Sequence, residues 1–214
     1  MGKLSRGFLG GFQGQLGTAY GCFWRLMDLI KAMPRKSNRP ATLKQLMVQL
    51  RLALIVDFLR SLSAIIKIGF RDGPSNQSPM NVAVSYHVKN AVTGVYPNYT
   101  IDYTKVKLSQ GKLDSLASTA VLTAAGAVLE YSWLGSSVGE VNSSPTDKVS
   151  LVVYNPAKPK FIIVKDVATR ADLEYSLQLP ADFAGDEVEC YLMVTSDDDK
   201  MVSQSEHLAS ITII

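Results

Sequence analysis

Asp172-Leu173-Glu174-Tyr175-Ser176-Leu177-Gln178-Leu179-Pro180 decides the fold. Apolar side chains take the odd positions and polar ones the even, the period-two signature of a strand with one buried face, and Pro180 closes the run. The alternation recurs at Leu129, Tyr131 and Trp133 against Glu130 and Ser132, and at Val188, Cys190, Leu192 and Val194 against Glu189 and Tyr191. Short strands of this kind, separated by Gly, Pro, Asn and Asp turns, predict an antiparallel β-sandwich within residues 76–214. Further upstream, Val82, Val84, Tyr86 and Val88 alternate with Ala83, Ser85, His87 and Lys89, which predicts a strand from Met80 with His87 facing water. Ile101 and Tyr103 point one way while Val95 and Val106 break phase, so a bulge is expected near Thr104-Lys105 in a second strand.

Before the β region the period changes. Pro40-Ala41-Thr42 followed by Gln45 reads as a helix entry with a capping box, and Leu43 to Ile68 runs without Gly or Pro. This predicts one long helix ended by Gly69, with Asp72-Gly73-Pro74-Ser75 as turn and linker, so that residues 41–75 form a helix-and-linker segment. Lys44 and Arg51 project to one side, and Gln49, Arg60 and Lys67 to nearly the opposite one. Apolar residues almost encircle such a helix, which demands burial on more than one side. Two coverings are open: packing against the arm as a helical hairpin on the sandwich, or packing between subunits.

Residues 1–40 form a basic arm. Gly2, Gly7, Gly10, Gly11, Gly14, Gly17 and Gly21 are interleaved with Phe8, Phe12, Leu16, Tyr20, Phe23 and Trp24. Wound as a helix, Gly7 to Gly21 makes one stripe that permits close backbone packing, with Phe8, Phe12, Leu16, Ala19 and Phe23 opposite. Each glycine destabilises a helix by about 1 kcal/mol relative to alanine, so an extended, partner-ordered strand is equally consistent. Either conformation needs something to lean on. The uncharged run Gly7 to Trp24 is too rich in glycine and glutamine for a membrane span. No cleavable signal peptide is evident, because no small-x-small site follows an apolar run, and Tyr20 spoils Ala19-Tyr20-Gly21-Cys22 as a lipoprotein signal. A cytoplasmic location, or assembly into a particle or surface structure by a non-standard route, is the corresponding expectation.

The chain has 214 residues, 47% hydrophobic and 19% charged, which excludes a disordered protein. Residues 1–75 hold 12 Lys+Arg against 3 Asp+Glu, and residues 76–214 hold 10 against 16, giving +9 and −6. A basic segment joined to an acidic body suits nucleic acid, an anionic membrane surface or the acidic body of another copy. The basic residues are spread thinly, with one cluster at Lys31, Arg35, Lys36 and Arg39, which speaks against nucleic acid.

From Ala117 to Ile214 the chain resembles a fibronectin type III or immunoglobulin-like domain, on Leu129 with Trp133, on Leu177-Gln178-Leu179-Pro180 followed by Tyr191, and on a terminal hairpin through Ser196 to Ser205. Cys190 has no partner at a core strand position, so the antibody disulfide is absent and the residue reads as a small buried hydrophobe. As a whole the chain resembles an uncharacterised domain-of-unknown-function family of Bacteroidota. The residues carrying that likeness are the glycine-aromatic start through Trp24, Arg35, Thr42 with Gln45, Gly69-Phe70, Asn81 with Ala83, Tyr96-Pro97, Ile101-Asp102-Tyr103 and Ser109, Gly111 and Leu113. The resemblance implies the architecture, mainly β with an N-terminal α segment, and no activity.

No convergent acid, base and nucleophile can be assembled, so no catalytic, cofactor or metal residue is assigned. Gly135-Ser136-Ser137-Val138-Gly139 with Asp147 or Asp172 and His207 follows hydrolase order, but an elbow needs a strand-turn-helix on a parallel sheet. Asp197-Asp198-Asp199 with Asp186-Glu187 could face calcium, yet reads better as an acidic turn. Asn76, Asn98 and Asn142 open tripeptides that fit the glycosylation pattern and read as turns. The expected function is a non-enzymatic structural subunit that self-assembles into a ring, tube or filament, phage-like or surface-borne, through Phe8, Phe12, Leu16, Tyr20, Phe23, Trp24, Arg35 and Arg51. The alternative is an Ig-like binding or adhesion module, anchored by the arm, whose loops take a protein or glycan.

Overall fold

A computed structural model describes residues 3–4, 10–24, 27–34, 39–74, 76–135 and 142–214. They fall into two compact units, Met1–Gln45 and Leu46–Ile214. The named strands are β1 (Lys3–Leu4), β2 (Phe12–Leu16), β3 (Ala19–Trp24), β4 (Met27–Ala32), β5 (Val92–Val95), β6 (Asn98–Ile101), β7 (Ala117–Ala124), β8 (Val128–Leu134), β9 (Lys148–Asn155), β10 (Lys160–Thr169), β11 (Glu174–Gln178), β12 (Glu187–Thr195) and β13 (Glu206–Thr212). The helices are α1 (Leu43–Arg60), α2 (Ser63–Gly69) and α3 (Pro79–Asn90). The fold is mainly β, and each named strand pair is antiparallel.

The first unit is a sheet in the order β1-β2-β3-β4. Of the two conformations open for Gly7 to Gly21, the described part is extended. Gly17, at φ +59°, takes the first central position of the two-residue turn between Leu16 and Ala19, where hairpins favour glycine. Gly21 serves contact instead of conformation: a Cβ there would meet first the Phe12 backbone carbonyl oxygen and then, at 2.6 and 2.7 Å, ring carbons of Phe12, so the chain of the facing strand and its ring both lie against the glycine. Gly21 thus accommodates the strand and ring opposite it, not a neighbouring helix.

Thr42 and Gln45 make the reciprocal capping box, with the Gln45 N–H donating to Thr42 Oγ1 (3.4 Å) and the Thr42 N–H to Gln45 Oε1 (2.9 Å). The expected single long helix does not form. It divides into α1 and α2 at Ser61-Leu62, where the Leu62 N–H donates to the Leu59 carbonyl (3.0 Å) in a tightened i→i−3 turn. Neither Gly nor Pro marks this break; Leu62 is fully buried in the turn, and tertiary packing has overridden helix continuity. α2 stops at Gly69 as expected, although the capping position falls on Phe70 (φ −113°) and Gly69 is the last helical residue.

The expected strand from Met80 is a helix. Ser78 caps it by accepting the Asn81 N–H (3.2 Å), and Pro79 sits in the first turn, where its missing N–H is harmless. Ala83, His87 and Ala91 recur every four residues and are all buried, a helical stripe that outweighed the alternating valines. His87 therefore does not face water. The expected bulge at Thr104-Lys105 is instead a 3₁₀ turn over Tyr103–Lys105, capped by Asp102, whose carboxylate accepts the Thr104 N–H (3.2 Å).

Beyond this turn lie two sheets, β11-β8-β7 and β10-β9-β12-β13. One core joins them, drawing Leu129, Tyr131, Trp133 and Leu177 from the first and Leu151, Val153, Cys190 and Leu192 from the second. A second core lies on the other face of the four-stranded sheet, where Val152, Tyr154, Tyr191 and Met193 meet Ile55, Phe58, Leu59, Leu62, Ile65 and Ile66 of the helical segment. β9 and β12 are therefore buried on both faces, and almost every residue in them is buried.

Candidate assembly interface

Among its described residues, the sheet of the first unit shows no buried large apolar side chain. Of those residues only Gly21 is buried. Register pairs share a face, so Tyr20, Cys22 and Trp24 lie beside Lys31, Leu29 and Met27, and Leu16, Gly21 and Phe23 beside Ala19, Ile30 and Asp28 on the opposite face. Both faces carry large apolar side chains in solvent, including Ile30 at 70% and Leu16 at 63% exposure, with Tyr20, Phe23, Trp24, Met27 and Met33 also exposed. Burying apolar surface is what offsets the entropy of ordering a chain, and a sheet that buries so little needs a covering surface.

α1 presents the same imbalance. Its buried residues are Ile55, Phe58 and Leu59, in the C-terminal half. Leu43, Leu46, Val48, Leu50 and Leu52 in the N-terminal half are exposed and point around the helix, not along one face. Arg51 lies over the Tyr99 ring, its guanidinium carbon 4.8 Å from the centroid.

Of the residues that sequence reasoning nominated, Phe8 and Arg35 lie outside the described residues. Phe12, Leu16, Tyr20, Phe23 and Trp24 are brought together in one sheet. Arg51 belongs to the second compact unit, where it is engaged with Tyr99. Met27, Ile30 and the exposed leucines of α1 were not nominated individually, although the apolar residues that almost encircle the helix were visible in the sequence.

The electrostatics match the division into units. Residues 1–45 hold eight Lys+Arg and one acidic residue, and residues 46–214 hold fourteen and eighteen, so +7 and −4 add to the chain's +3.

The side chains of the hydrolase-ordered pattern serve other contacts. Ser136 to Gly139 lie outside the described residues. Asp147 is buried and accepts from Arg170 Nε (3.3 Å) and from the Ser144 N–H (2.8 Å). Arg170, 1% exposed, also donates to the carbonyls of Asp114 (2.6 Å) and Ser115 (3.3 Å), and Trp133 Nε1 donates to its carbonyl (3.0 Å). Asp172 closes a capping box with Thr169, whose N–H and hydroxyl hold its carboxyl below the usual carboxylate range. His207 Nε2 is 2.6 Å from Glu189 Oε2, which also accepts from Ser210 Oγ (2.7 Å). The acidic turn folds on itself, with Asp198 accepting from Ser196 Oγ (2.7 Å) and the Lys200 N–H (3.1 Å). Asp186 and Asp197 flank opposite ends of β12, so they cannot share an ion. Among the described residues no group of three or more His, Cys, Asp or Glu side chains could hold a metal, and no helix is long and apolar enough to cross a membrane.

Comparison with curated proteins finds no match. The profile described as "Family of unknown function (DUF6266)" matches residues 11–209, spanning the arm, the helices and the β-sheets, and the chain belongs to that family.

Proposed function

We propose that the chain is a non-enzymatic structural subunit that self-assembles into a ring, tube or filament through its arm sheet and the N-terminal half of α1. One observation carries this reading: a four-stranded sheet whose described residues include a single buried one, glycine, and large exposed side chains on both faces. A second copy is the covering surface that needs no further partner, and the +7 and −4 segments make a contact between unlike surfaces favourable. Such a heterologous contact closes into a ring or runs on as a filament according to its rotation.

The same reading makes residues 117–214 a fibronectin type III or Ig-like sandwich that decorates the assembly. The strand orders support it, since β7, β8 and β11 face β9, β10, β12 and β13 across one core, the division of strands that such sandwiches use. The absence of an enzymatic role draws support from the polar side chains above, which are engaged in structural contacts.

Light scattering coupled to size exclusion, with negative-stain imaging, tests the proposal on the full chain, on a chain beginning at Leu46 and on the full-length variant Ile30→Asp. Regular particles are expected from the full chain alone, weakened by salt as surface charge pairs are screened. A full-length monomer at high concentration overturns the reading.

A further inference from the structure

The second unit contains a groove of about 520 Å³ where α1, β6 and the β9–β10 hairpin meet. Aromatic rings build it. Tyr154 stacks on Phe161 with centroids 4.3 Å apart, Phe58 meets both edge-on at 5.2 and 5.3 Å, and Tyr103 lies 5.4 Å from Tyr154. The cluster is fixed from behind, because Tyr191 Oη donates to the Tyr103 carbonyl (2.9 Å). Tyr99 forms part of the wall, and Asp57, Ser61 and Thr100 supply polar atoms.

The groove's charge is distinctive. Among the described residues its lining includes no Lys, Arg or His; Asp57 is answered by Arg60 at 3.7 Å across exposed surface, and the wall residue Tyr99 already carries the guanidinium of Arg51 on its ring, 4.8 Å from the centroid, so the rings at this groove do attract a cation. Aromatic faces carry negative potential, so a carboxylate beside several rings favours a cation that also brings apolar surface. The chain itself contains such a segment in β4, an edge strand of the net-positive first unit, where Met27, Ile30 and Lys31 are exposed. The groove also continues toward the uncovered part of α1: Leu54, Asp57 and Phe58 line it, and Leu50, one turn before Leu54, is exposed.

We propose that this groove receives the β4 edge of a second copy's arm, with Lys31 directed toward the aromatic rings and Asp57. The inference rests on the self-assembly reading and deepens it by naming the receiving site. A full-length chain carrying a photo-cross-linking phenylalanine analogue at position 99 tests it, irradiated as a mixture of ¹⁴N- and ¹⁵N-labelled copies and mapped by mass spectrometry. Cross-links joining position 99 of one isotope to residues 27–33 of the other are expected. A second variant, Asp57→Lys at an exposed helix position, should raise the concentration needed for particles by about tenfold, while the melting temperature stays unchanged. Particles that form with no cross-link to the arm, or with cross-links elsewhere, overturn the groove assignment and leave self-assembly standing. A chain that forms no particles overturns both.

Discussion

At the residue scale, His87 shows how burial fixes a protonation state. Its Nδ1–H donates to the Ala83 carbonyl (2.7 Å) and its Nε2 accepts the Lys107 N–H (3.2 Å), so the neutral ring is satisfied at both nitrogens and ties α3 to the segment after the 3₁₀ turn. Burial pushes its pKa below the ordinary 6.5, since a charged ring there would lose its hydration. The unfolded chain takes up this proton first, so the contribution is fully present above about pH 6.5 and is lost as pH falls below it. Urea denaturation followed from pH 7 downward should show stability falling by at most about 1.4 kcal/mol per pH unit on account of this one group. In His87→Gln that component should vanish; an identical profile in the variant would assign the acid sensitivity elsewhere.

At the scale of elements, the arm sheet depends on Phe12 lying against Gly21. Gly21→Val would place side-chain atoms where the Phe12 carbonyl oxygen and ring lie, and the β2–β3 pairing through Gly14 and Gly21 should open. Amide exchange in residues 12–24 is expected to accelerate by at least about tenfold, with exchange in β9 and β12 unaffected. Unchanged exchange in the arm would mean that the close approach of Phe12 to Gly21 contributes nothing. The aromatic and glycine spacing was legible in the sequence, but its meaning was not. A period compatible with a helical stripe and a strand with cross-strand cover look alike until the partner strand is known.

At the scale of the molecule, the helical segment and the β region share a core. Ile55, Phe58, Leu59, Leu62, Ile65, Ile66 and Phe70 pack with Val152, Tyr154, Tyr191 and Met193. Burying each such side chain contributes about 1.5–3 kcal/mol, so losing seven removes about 10–20 kcal/mol, as large as the usual margin of about 5–15 kcal/mol for a domain. A chain beginning at Asn76 is therefore expected to lose near-ultraviolet circular dichroism and dispersed amide resonances, while one beginning at Leu46 keeps both. Equal dispersion in the two would show that the helices are dispensable. The sequence by itself determined the strands β8, β11 and β12, the capped start of α1, the end of α2 and the mainly β character, because hydrophobic period and capping chemistry are local and are written in neighbouring residues. Only the tertiary structure decided that 79–90 is helical, that the long helix breaks at Leu62, that β9 and β12 are covered on both faces, and that Phe58, Tyr103, Tyr154 and Phe161 converge on one groove. Those outcomes depend on which surface lies opposite each residue, and residues as far apart as Phe58 and Phe161 acquire a common environment only when the chain has folded.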